Sequence, residues 1–309
     1  MSREPIAIAA GAAALLTATN AHAETGHALF DAIQAGLGPE ARRHHGVDPA
    51  GRRDMAIAGG SYRPVGALVD GFRAGDADME INGIVVCARA STPVLQQAVA
   101  LGANIVISRQ AFLGDAQDRP VARPEQALAE KIDYIRSNNL AILRLQDPRT
   151  GPAGVAITTA FAQAIGLRRP RPRINLAEGL VYQTPRTPII DIVRRVKQAL
   201  PTQTVRLVGD PQMAASGVAV ATETSRPNGL APLISRDDVN LLICGEVHET
   251  ETTPYVMDAL ALGQRKAMLI VGSIAMEEPA ARALAAWLPT ITQKPVAYLP
   301  SNEGLIEVN

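Results

Sequence analysis

Two stretches of the chain repeat one pattern, and this repeat constrains the fold more than any other feature of the sequence. Residues 239–278 contain an apolar run, an acidic loop, a helix-like segment ending at Gly263 and a second apolar run. Residues 81–111 follow the same order, with the helix-like segment ending at Gly102. Near-continuous apolar runs are typical of strands covered on both faces, and a strand–helix–strand unit joins parallel strands by a right-handed crossover. The repeat predicts an α/β protein with two related α/β lobes.

The pattern of the remaining chain places these lobes within five segments. The segments are an N-terminal apolar segment, a short helix with a polar loop, a first lobe, an Arg- and Pro-rich linker and a second lobe. Their bounds are 1–23, 24–68, 69–167, 168–178 and 179–309, and the last segment closes with expected strands at 296–299 and 305–308. The basic linker could instead form an anion-binding patch, but alternating prolines favour a stiff, solvated connection.

Polar residues follow the expected strands in both lobes. Ligands of parallel sheets bind beyond the carboxyl ends of the strands, and a pocket between lobes is a usual ligand site. We therefore expect the two lobes to face each other across a central cleft. The residues expected to line it are Ser108, Arg109, Gln110, Asp147, Glu246, His248, Glu249, Glu251, Ser273, Glu277 and Glu278.

Composition excludes some classes of function. The 309 residues include 30 basic and 30 acidic side chains, so the formal net charge is zero and no whole-chain field attracts nucleic acid.

Cys87 and Cys244 each lie in an apolar run, which favours two buried thiols. A disulfide would require the two strands to be adjacent and correctly aimed.

The N-terminal segment has the layout of a secretory signal peptide. Arg3 precedes an apolar run from Ile6 to Ala18, and the segment ends in Ala21-His22-Ala23, an A-x-A-like cleavage site. The run is too short for a comfortable transmembrane helix. We expect a periplasmic or secreted mature protein with no stable membrane insertion. The alternative is an Ala-rich first helix in a cytoplasmic protein.

His44 and His45 are adjacent and raise the question of a metal site. The surrounding stretch has no apolar periodicity that would hold the two rings rigidly, and a metal site needs a supported set of ligands. We interpret this stretch as a solvated loop.

Four segments of the chain read AGDADMEINGI, QQAVALGANIVIS, ICGEVHETET and IVGSIAMEE. They resemble segments of the Nif-three-like proteins, also called the dinuclear metal-centre or GTP cyclohydrolase type 2-like family. The resemblance spans residues 69–306 and is closest to a subgroup whose members often carry export signals. It implies the Nif-three-like fold, a metal pair between the lobes and a homo-oligomer, commonly a hexameric ring.

Every histidine ligand of the family's metal site is replaced in this chain. The family usually has His-His or His-Glu after the strand ending at Ser108, where this chain has Arg109 and Gln110. The family usually has a histidine where this chain has Ser273. Transition-metal sites depend on imidazole or thiolate ligands. The departure therefore predicts that the family's dinuclear centre is lost.

Two carboxylates match family ligands and form a remnant of the metal site: Asp147 and Glu277. Carboxylates alone would favour at most a weakly held hard cation such as Mg²⁺ or Ca²⁺. The guanidinium of Arg109 would bring a permanent charge to the metal's place. We expect Arg109 to substitute for the metal's charge and to pair with Asp147 or Glu277.

Two classes of function follow from this site. In the first, the protein is a non-catalytic or ligand-binding homologue of a metal-dependent hydrolase, or a protein whose assembly is its role. In the second, it is an active hydrolase, GTP cyclohydrolase type 2-like or acting on other amides or phosphates, with a site rebuilt from Asp147, Glu277 and Arg109. The candidate catalytic residues are Arg109, His248, Glu249 and Glu251, although a solvated loop histidine is the favoured interpretation of His248.

Overall fold

The structure is a computed structural model that describes residues 24–36, 70–113, 118, 123–145, 157–168, 170, 179–202, 204–221 and 230–301. Several sequence predictions lie outside the described residues. These are the signal segment 1–23, the pair His44 and His45, Asp147, most of the linker 168–178 and the expected strand at 305–308.

The first sheet is mainly parallel. Its strands are β1 (Gly71–Ala74), β2 (Ile84–Cys87), β3 (Ile105–Ser108), β4 (Ala141–Arg144) and β10 (Val296–Tyr298). They lie in the order β1-β4-β3-β2-β10, and only β1 runs antiparallel to its neighbour. Between Glu24 and β4, the described residues form the helices α1 (Gly26–Gly36), α2 (Thr92–Ala100) and α3 (Gln126–Ser137). All four residues of β2, β3 and β4 are buried, as expected for strands covered on both faces.

The second sheet has a parallel centre with an antiparallel strand at each edge. Its strands are β5 (Gly179–Pro188), β6 (Arg206–Val208), β7 (Ala214–Ala221), β8 (Leu241–Cys244) and β9 (Ala267–Ile270). Their order is β5-β7-β8-β9-β6. In the later described ranges, the helices are α4 (Ile157–Ala164), α5 (Ile189–Ala199), α6 (Ala231–Ile234), α7 (Thr252–Ala261) and α8 (Ser273–Trp287), followed by a 3₁₀ turn at Leu288–Thr290. The prediction of a two-lobed α/β fold is confirmed.

The internal repeat extends to individual backbone hydrogen bonds. The N–H of Arg109 donates to the carbonyl of Cys87, and the N–H of Val271 donates in the same way to the carbonyl of Cys244. Gly102 and Gly263, which follow α2 and α7, have φ angles of +72° and +77°. Left-handed glycines of this kind end helices without the penalty that a Cβ would bring.

The two cysteines are free and buried, which confirms the prediction of buried thiols. Each occupies the last position of a central strand, Cys87 in the first sheet and Cys244 in the second. The thiol of Cys87 donates to the carbonyl of Ile107 at 3.5 Å, and that of Cys244 to the carbonyl of Leu269 at 3.8 Å.

The chain exchanges elements between the lobes, which differs from the division into residues 69–167 and 179–309. Strand β10 pairs with β2 and so belongs to the first sheet. Helix α4 packs into the apolar core of the second sheet, where Phe161 and Tyr182 share one cluster. Apolar contacts decide both placements, and local sequence patterns do not show which sheet an element will join.

Helix α8 lies between the two cores. Ala275, Met276 and Ala280 belong to the core of the second sheet, whereas Ala281 and Leu284 belong to a core of the first. The helix starts directly after β9 and therefore carries the chain from one lobe into the other. Among the described helices, none is both long and apolar enough to cross a membrane.

Candidate functional site

Two buried glutamates lie on α8 where it passes between the lobes. Glu277 is 3% exposed and Glu278 is 1% exposed. Both follow Met276, which packs against the second sheet, and both precede Ala281, which packs against the first. Buried carboxylates require hydrogen-bonding partners, and the first sheet supplies them.

Glu277 is held by the two residues that follow β3. The Nε of Arg109 lies 3.3 Å from Oε2, and the Nε2 of Gln110 donates to Oε1 at 3.1 Å. Each carboxylate oxygen therefore accepts one hydrogen bond from a side chain of the first lobe. Arg109 is itself only 1% exposed, so the pair is buried on both sides.

The loop after β3 is fixed by the sheet. The N–H of Arg109 donates to the carbonyl of Cys87 at 3.2 Å, and the N–H of Gln110 donates to the carbonyl of Ala88 at 2.7 Å. The hydroxyl of Ser108 donates to the carbonyl of Gln110 at 2.7 Å. These bonds place both side chains at the carboxyl edge of the parallel strands, where ligand sites of such sheets lie.

Burial raises the pKa of Glu277 above its usual range. The charge and hydrogen bond of Arg109, the hydrogen bond of Gln110 and the charge of Arg144 act in the opposite direction without cancelling the effect. The cost of desolvating the charged carboxylate of Glu277 is therefore larger than the stabilisation that the guanidinium of Arg109 provides.

Glu278 accepts its hydrogen bonds from β10 and from Ser301, which follows that strand. Its Oε2 accepts a bond of 2.5 Å from the hydroxyl of Tyr298, and its Oε1 accepts one of 2.7 Å from the N–H of Ser301. The hydroxyl of Ser301 in turn accepts the N–H of Arg89 at 2.7 Å. Burial raises the pKa of Glu278, and the bonds from Tyr298 and Ser301 and the charge of Arg282 partly offset this.

A second buried ion pair supports the loop after β3. Arg144 is fully buried, and its Nη1 lies 2.9 Å from Oδ2 of Asp118. The Oδ1 of Asp118 accepts the N–H groups of Phe112 at 2.7 Å and Leu113 at 2.9 Å. Neither residue of this pair is among the site residues expected from the sequence. The signal available was a lone charge in the otherwise apolar run of β4.

Lys131 adds a buried cation on the same loop. Its Nζ donates to the carbonyl of Phe112 at 2.9 Å and lies 5.2 Å from the centre of that ring. Burial lowers the pKa of Lys131 to about 8, and the charge of Arg89 lowers it further, while Asp118 and Cys87 oppose the shift.

The other candidate catalytic residues lie apart from Glu277. His248, Glu249 and Glu251 are exposed, and Glu249 forms an ion pair with Arg206. No hydrogen bond or ion pair within the described part of the chain joins any of the three to Glu277. Ser273 stands in the first turn of α8, and its Oγ is buried without a hydrogen-bond partner in the described structure.

A model of the DUF34/NIF3 family, named for NGG1p interacting factor 3, matches residues 54–299. The chain belongs to the DUF34/NIF3 family. The Nif-three-like membership expected from the sequence resemblance is thereby confirmed. Among curated proteins, none matches this chain.

Solved structures of low sequence identity share the fold of this NIF3-family chain. A hypothetical protein of Staphylococcus aureus has a TM-score of 0.68 and 12% identity, over 93% of this chain and 100% of the other. A Bacillus cereus protein related to NIF3 has a TM-score of 0.66 and 11% identity, over the same 93% and 100%. Reduced HcgD from Methanocaldococcus jannaschii has a TM-score of 0.57 and 13% identity, over 77% of this chain and 92% of the other.

The described residues do not fit the metal pair that the sequence resemblance implies. No group of three or more His, Cys, Asp or Glu side chains among them could hold a metal ion. Both oxygens of Glu277 are engaged by Arg109 and Gln110. A buried guanidinium beside the carboxylate opposes the approach of a dication.

Proposed function

We propose that this NIF3-family protein is a non-catalytic or ligand-binding homologue of a metal-dependent hydrolase whose metal site has degenerated. The observation that carries the proposal is the buried Glu277 carboxylate held between Arg109 and Gln110. Arg109 brings to this carboxylate the positive charge that a metal ion would otherwise supply.

Energetic reasons support the exchange of a metal for an arginine. Removing one partner from a buried ion pair leaves an uncompensated charge and costs about 3–5 kcal/mol. A metal ion that bound Glu277 would break its ion pair with the buried Arg109. Metal binding would therefore have to overcome this cost in addition to the dehydration of the ion.

Metal analysis of the purified protein tests the proposal. The protein is stripped with a chelator, dialysed in turn against Zn²⁺, Mn²⁺ and Mg²⁺, and its metal content is measured beside Asp147→Ala, Glu277→Gln and the surface control Glu130→Gln. We expect well below one equivalent in every sample, since two carboxylates without imidazole bind these ions weakly. About two equivalents in the wild type and Glu130→Gln, lost in Asp147→Ala and Glu277→Gln, would overturn the degenerate-site proposal.

The raised pKa of Glu277 favours a second candidate, an active hydrolase with a rebuilt site. A carboxyl that keeps its proton nearer to neutral pH suits general acid catalysis. Glu277 would donate the proton, Arg109 would stabilise developing negative charge and Asp147 would complete the site. Substrates would be GTP, other phosphates or amides, as in the GTP cyclohydrolase type 2-like interpretation.

A hydrolysis assay separates the two candidates. GTP, a phosphate ester and an amide are incubated with the wild type, Glu277→Gln and Glu130→Gln. Turnover that disappears in Glu277→Gln and persists in Glu130→Gln supports the hydrolase. Turnover that is absent supports the non-catalytic homologue, and turnover that is equal in all three samples excludes Glu277 as the catalytic acid.

We also propose that the mature protein is exported to the periplasm or secreted, as in the exported subgroup, and assembles as a homo-oligomer, a hexameric ring by family resemblance. Its zero formal charge disfavours nucleic acid as a partner. Light scattering of the purified protein tests the ring. N-terminal sequencing of protein from the native host tests export, and an intact Met1 or Ser2 start would indicate the cytoplasmic alternative.

A further inference from the structure

Five exposed cations lie on three consecutive elements at one edge of the second sheet. They are Arg168, which follows α4, Arg186 of β5, and Arg194, Arg195 and Lys197 of α5. These five residues are the basic face. In residues 157–168, 170 and 179–202, which the structure describes, the one acidic residue is Asp191. The basic face therefore concentrates positive charge in a chain whose formal net charge is zero.

One apolar core holds the three elements together. Phe161 of α4, Tyr182 of β5 and Ile192 of α5 belong to the same buried cluster, so both helices cover the same face of the sheet. Strand β5 comes first in the order β5-β7-β8-β9-β6 and therefore forms an edge of the sheet. A bridge between Pro170 and Tyr182 brings the segment that follows α4 onto this edge. The five cations are thus carried by one packed unit.

Helix α5 presents three of the cations to solvent. Its Ile192 and Val196 are buried in the core. Because a helix turns by about 100° per residue, Arg194, Arg195 and Lys197 lie away from this buried stripe. All three are exposed, and the side chain of Arg194 is 66% exposed.

Four members of the basic face have no acidic partner in the described part of the chain. The exception is Arg194, whose Nη1 lies 2.6 Å from Oδ1 of Asp191. The side chains of the other four form no ion pair and no hydrogen bond with described residues. Exposed arginines elsewhere have such partners, as Arg136 has in Asp133. Like charges gathered in this way repel one another, and anions bound from outside relieve the repulsion.

The kind of anion is indicated by the other side chains of these elements. Proteins that bind single-stranded nucleic acid stack its bases on aromatic side chains. The aromatic residues in the described parts of α4, β5 and α5 are Phe161 and Tyr182, and both are buried. A cluster of roughly four to eight Lys and Arg residues on an amphipathic helix is instead typical of binding to anionic lipid headgroups.

We propose that the basic face binds a membrane surface rich in anionic phospholipids, with the phosphate groups of the lipids as its ligands. Guanidinium groups form paired hydrogen bonds with phosphates, which suits a face in which four of the five cations are arginines. The contact is peripheral and electrostatic, and no helix has to insert. It applies to a catalytic and to a non-catalytic protein alike, because the basic face includes no residue of the Glu277 site.

The test compares the full-length wild type with three variants. The loss variant is Arg186→Gln/Arg194→Gln/Arg195→Gln/Lys197→Gln. Its matched control removes four charges at exposed positions outside the basic face, as Arg123→Gln/Arg136→Gln/Arg206→Gln/Arg265→Gln. The third variant, Asp191→Asn, removes the acidic neighbour of Arg194.

Binding is measured by sedimentation with vesicles of phosphatidylcholine alone or of phosphatidylcholine mixed with an equal share of phosphatidylglycerol. The apolar N-terminal segment is the same in all four proteins, so an effect of that segment would appear in every sample. Thermal unfolding of each variant checks that it is folded. Asp191→Asn, a single surface substitution, provides the test even where the loss variant is unfolded.

The wild type and the matched control should bind the phosphatidylglycerol vesicles more tightly than those of phosphatidylcholine alone. Each cation near an anionic surface contributes roughly fivefold to binding, so the loss variant should bind at least about 100-fold more weakly and Asp191→Asn roughly fivefold more tightly. At about 1 M NaCl the Debye length falls to about 3 Å, and the preference for phosphatidylglycerol should be lost.

Three results would overturn the proposal. The first is a wild type that does not prefer phosphatidylglycerol vesicles. The second is equal binding by the folded loss variant and its matched control, or by Asp191→Asn and the wild type. The third is a fluorescent oligonucleotide that binds the wild type more tightly than the anionic vesicles do and is released in the loss variant, which would identify nucleic acid as the partner.

Discussion

The guanidinium of Arg109 and the carboxylate of Glu277 form a buried ion pair with a separation of 3.3 Å, and this pair connects the end of β3 to the helix shared by both lobes. Arg109 belongs to the first lobe, whereas α8 begins at the last strand of the parallel centre of the second sheet. The pair therefore fixes the relative position of the lobes as well as the electrostatics of the site. Its burial also makes the charge of each partner dependent on the other.

Arg109→Met should destabilise the protein by about 3–5 kcal/mol, because it leaves the buried Glu277 without its ion-pair partner. The measurement is the free energy of unfolding in urea at neutral pH. The double variant Arg109→Met/Glu277→Met should recover most of the loss, since apolar side chains of similar volume need no counter-ion.

A matched control for Arg109→Met is Arg206→Met. Arg206 pairs with Glu249 on the surface, where the two side chains are 62% and 61% exposed. Exposed pairs contribute about 0–1 kcal/mol. Equal losses of unfolding free energy in Arg109→Met and Arg206→Met would show that the buried pair contributes no more stability than the exposed one.

Glu277→Gln should change how stability depends on pH. Burial raises the pKa of Glu277 in the folded chain above its ordinary value of 4.5. The carboxyl of Glu277 therefore binds its proton more tightly in the folded state than in the unfolded state. The contribution of Glu277 to the free energy of unfolding is complete below pH 4.5 and is lost as pH rises through the raised pKa.

The quantity to measure is the unfolding free energy of the wild type minus that of Glu277→Gln, at intervals from pH 4.5 to 8. It should fall as pH rises, with a slope of at most about 1.4 kcal/mol per pH unit. A difference that is constant, or that rises with pH, would contradict the dominance of burial over the charge of Arg109.

The sequence was sufficient to predict the repeat and the residues that follow β3. Apolar runs and helix-ending glycines such as Gly102 and Gly263 are local signals, and each lobe is built from them. The position of Arg109 after an apolar strand placed it at the ligand-binding edge of a sheet. The resemblance to the family's metal site led to the expectation that Arg109 pairs with Asp147 or Glu277, and the structure contains the pair with Glu277.

Other parts of the site depend on contacts that a local pattern does not encode. The partners of Glu278 are Tyr298 and Ser301, and they meet it only because β10 returns to the first sheet. Asp118 accepts a hydrogen bond from Arg144, which lies 26 positions later in the sequence and in the same lobe. The side-chain chemistry of these residues is visible in the sequence, but their proximity is produced by tertiary packing.

Gly102→Ala and Gly263→Ala should each destabilise the protein by about 1 kcal/mol, and by similar amounts. Both glycines have positive φ angles, and an added Cβ at either would have no atom within 4 Å. Only the backbone conformation then opposes the substitution. Thermal unfolding of the two variants compares the halves of the repeat directly.

The contrasting variant is Gly75→Ala. Its φ is +78°, but an added Cβ would lie 2.0 Å from the carbonyl oxygen of Leu140. The steric overlap should make its loss of stability clearly larger than that of Gly102→Ala. Losses of equal size in the two variants would indicate that the backbone near Leu140 moves freely.

Cys87 and Cys244 should resist alkylation in the native protein. Burial raises the pKa of both thiols, that of Cys244 to about 12, so the reactive thiolate is scarce as well as inaccessible. Mass spectrometry after maleimide treatment should show no modification without urea and two additions in urea. Modification of either thiol in the native protein would contradict its burial at the end of a central strand.

Lys131→Met should remove an increase in stability that the wild type shows at alkaline pH. Burial lowers the pKa of Lys131 from 10.5 to about 8 in the folded chain. Between these values the unfolded chain binds more protons than the folded chain, so stability rises with pH. The full effect on the free energy of unfolding is about 3 kcal/mol.

Urea unfolding at pH 7.5, 9 and 10.5 measures this effect as the difference in unfolding free energy between the wild type and Lys131→Met. The matched control is Lys197→Met, on the exposed face of α5. A difference that stays constant over this range would mean that the amine of Lys131 is hydrated in the folded protein.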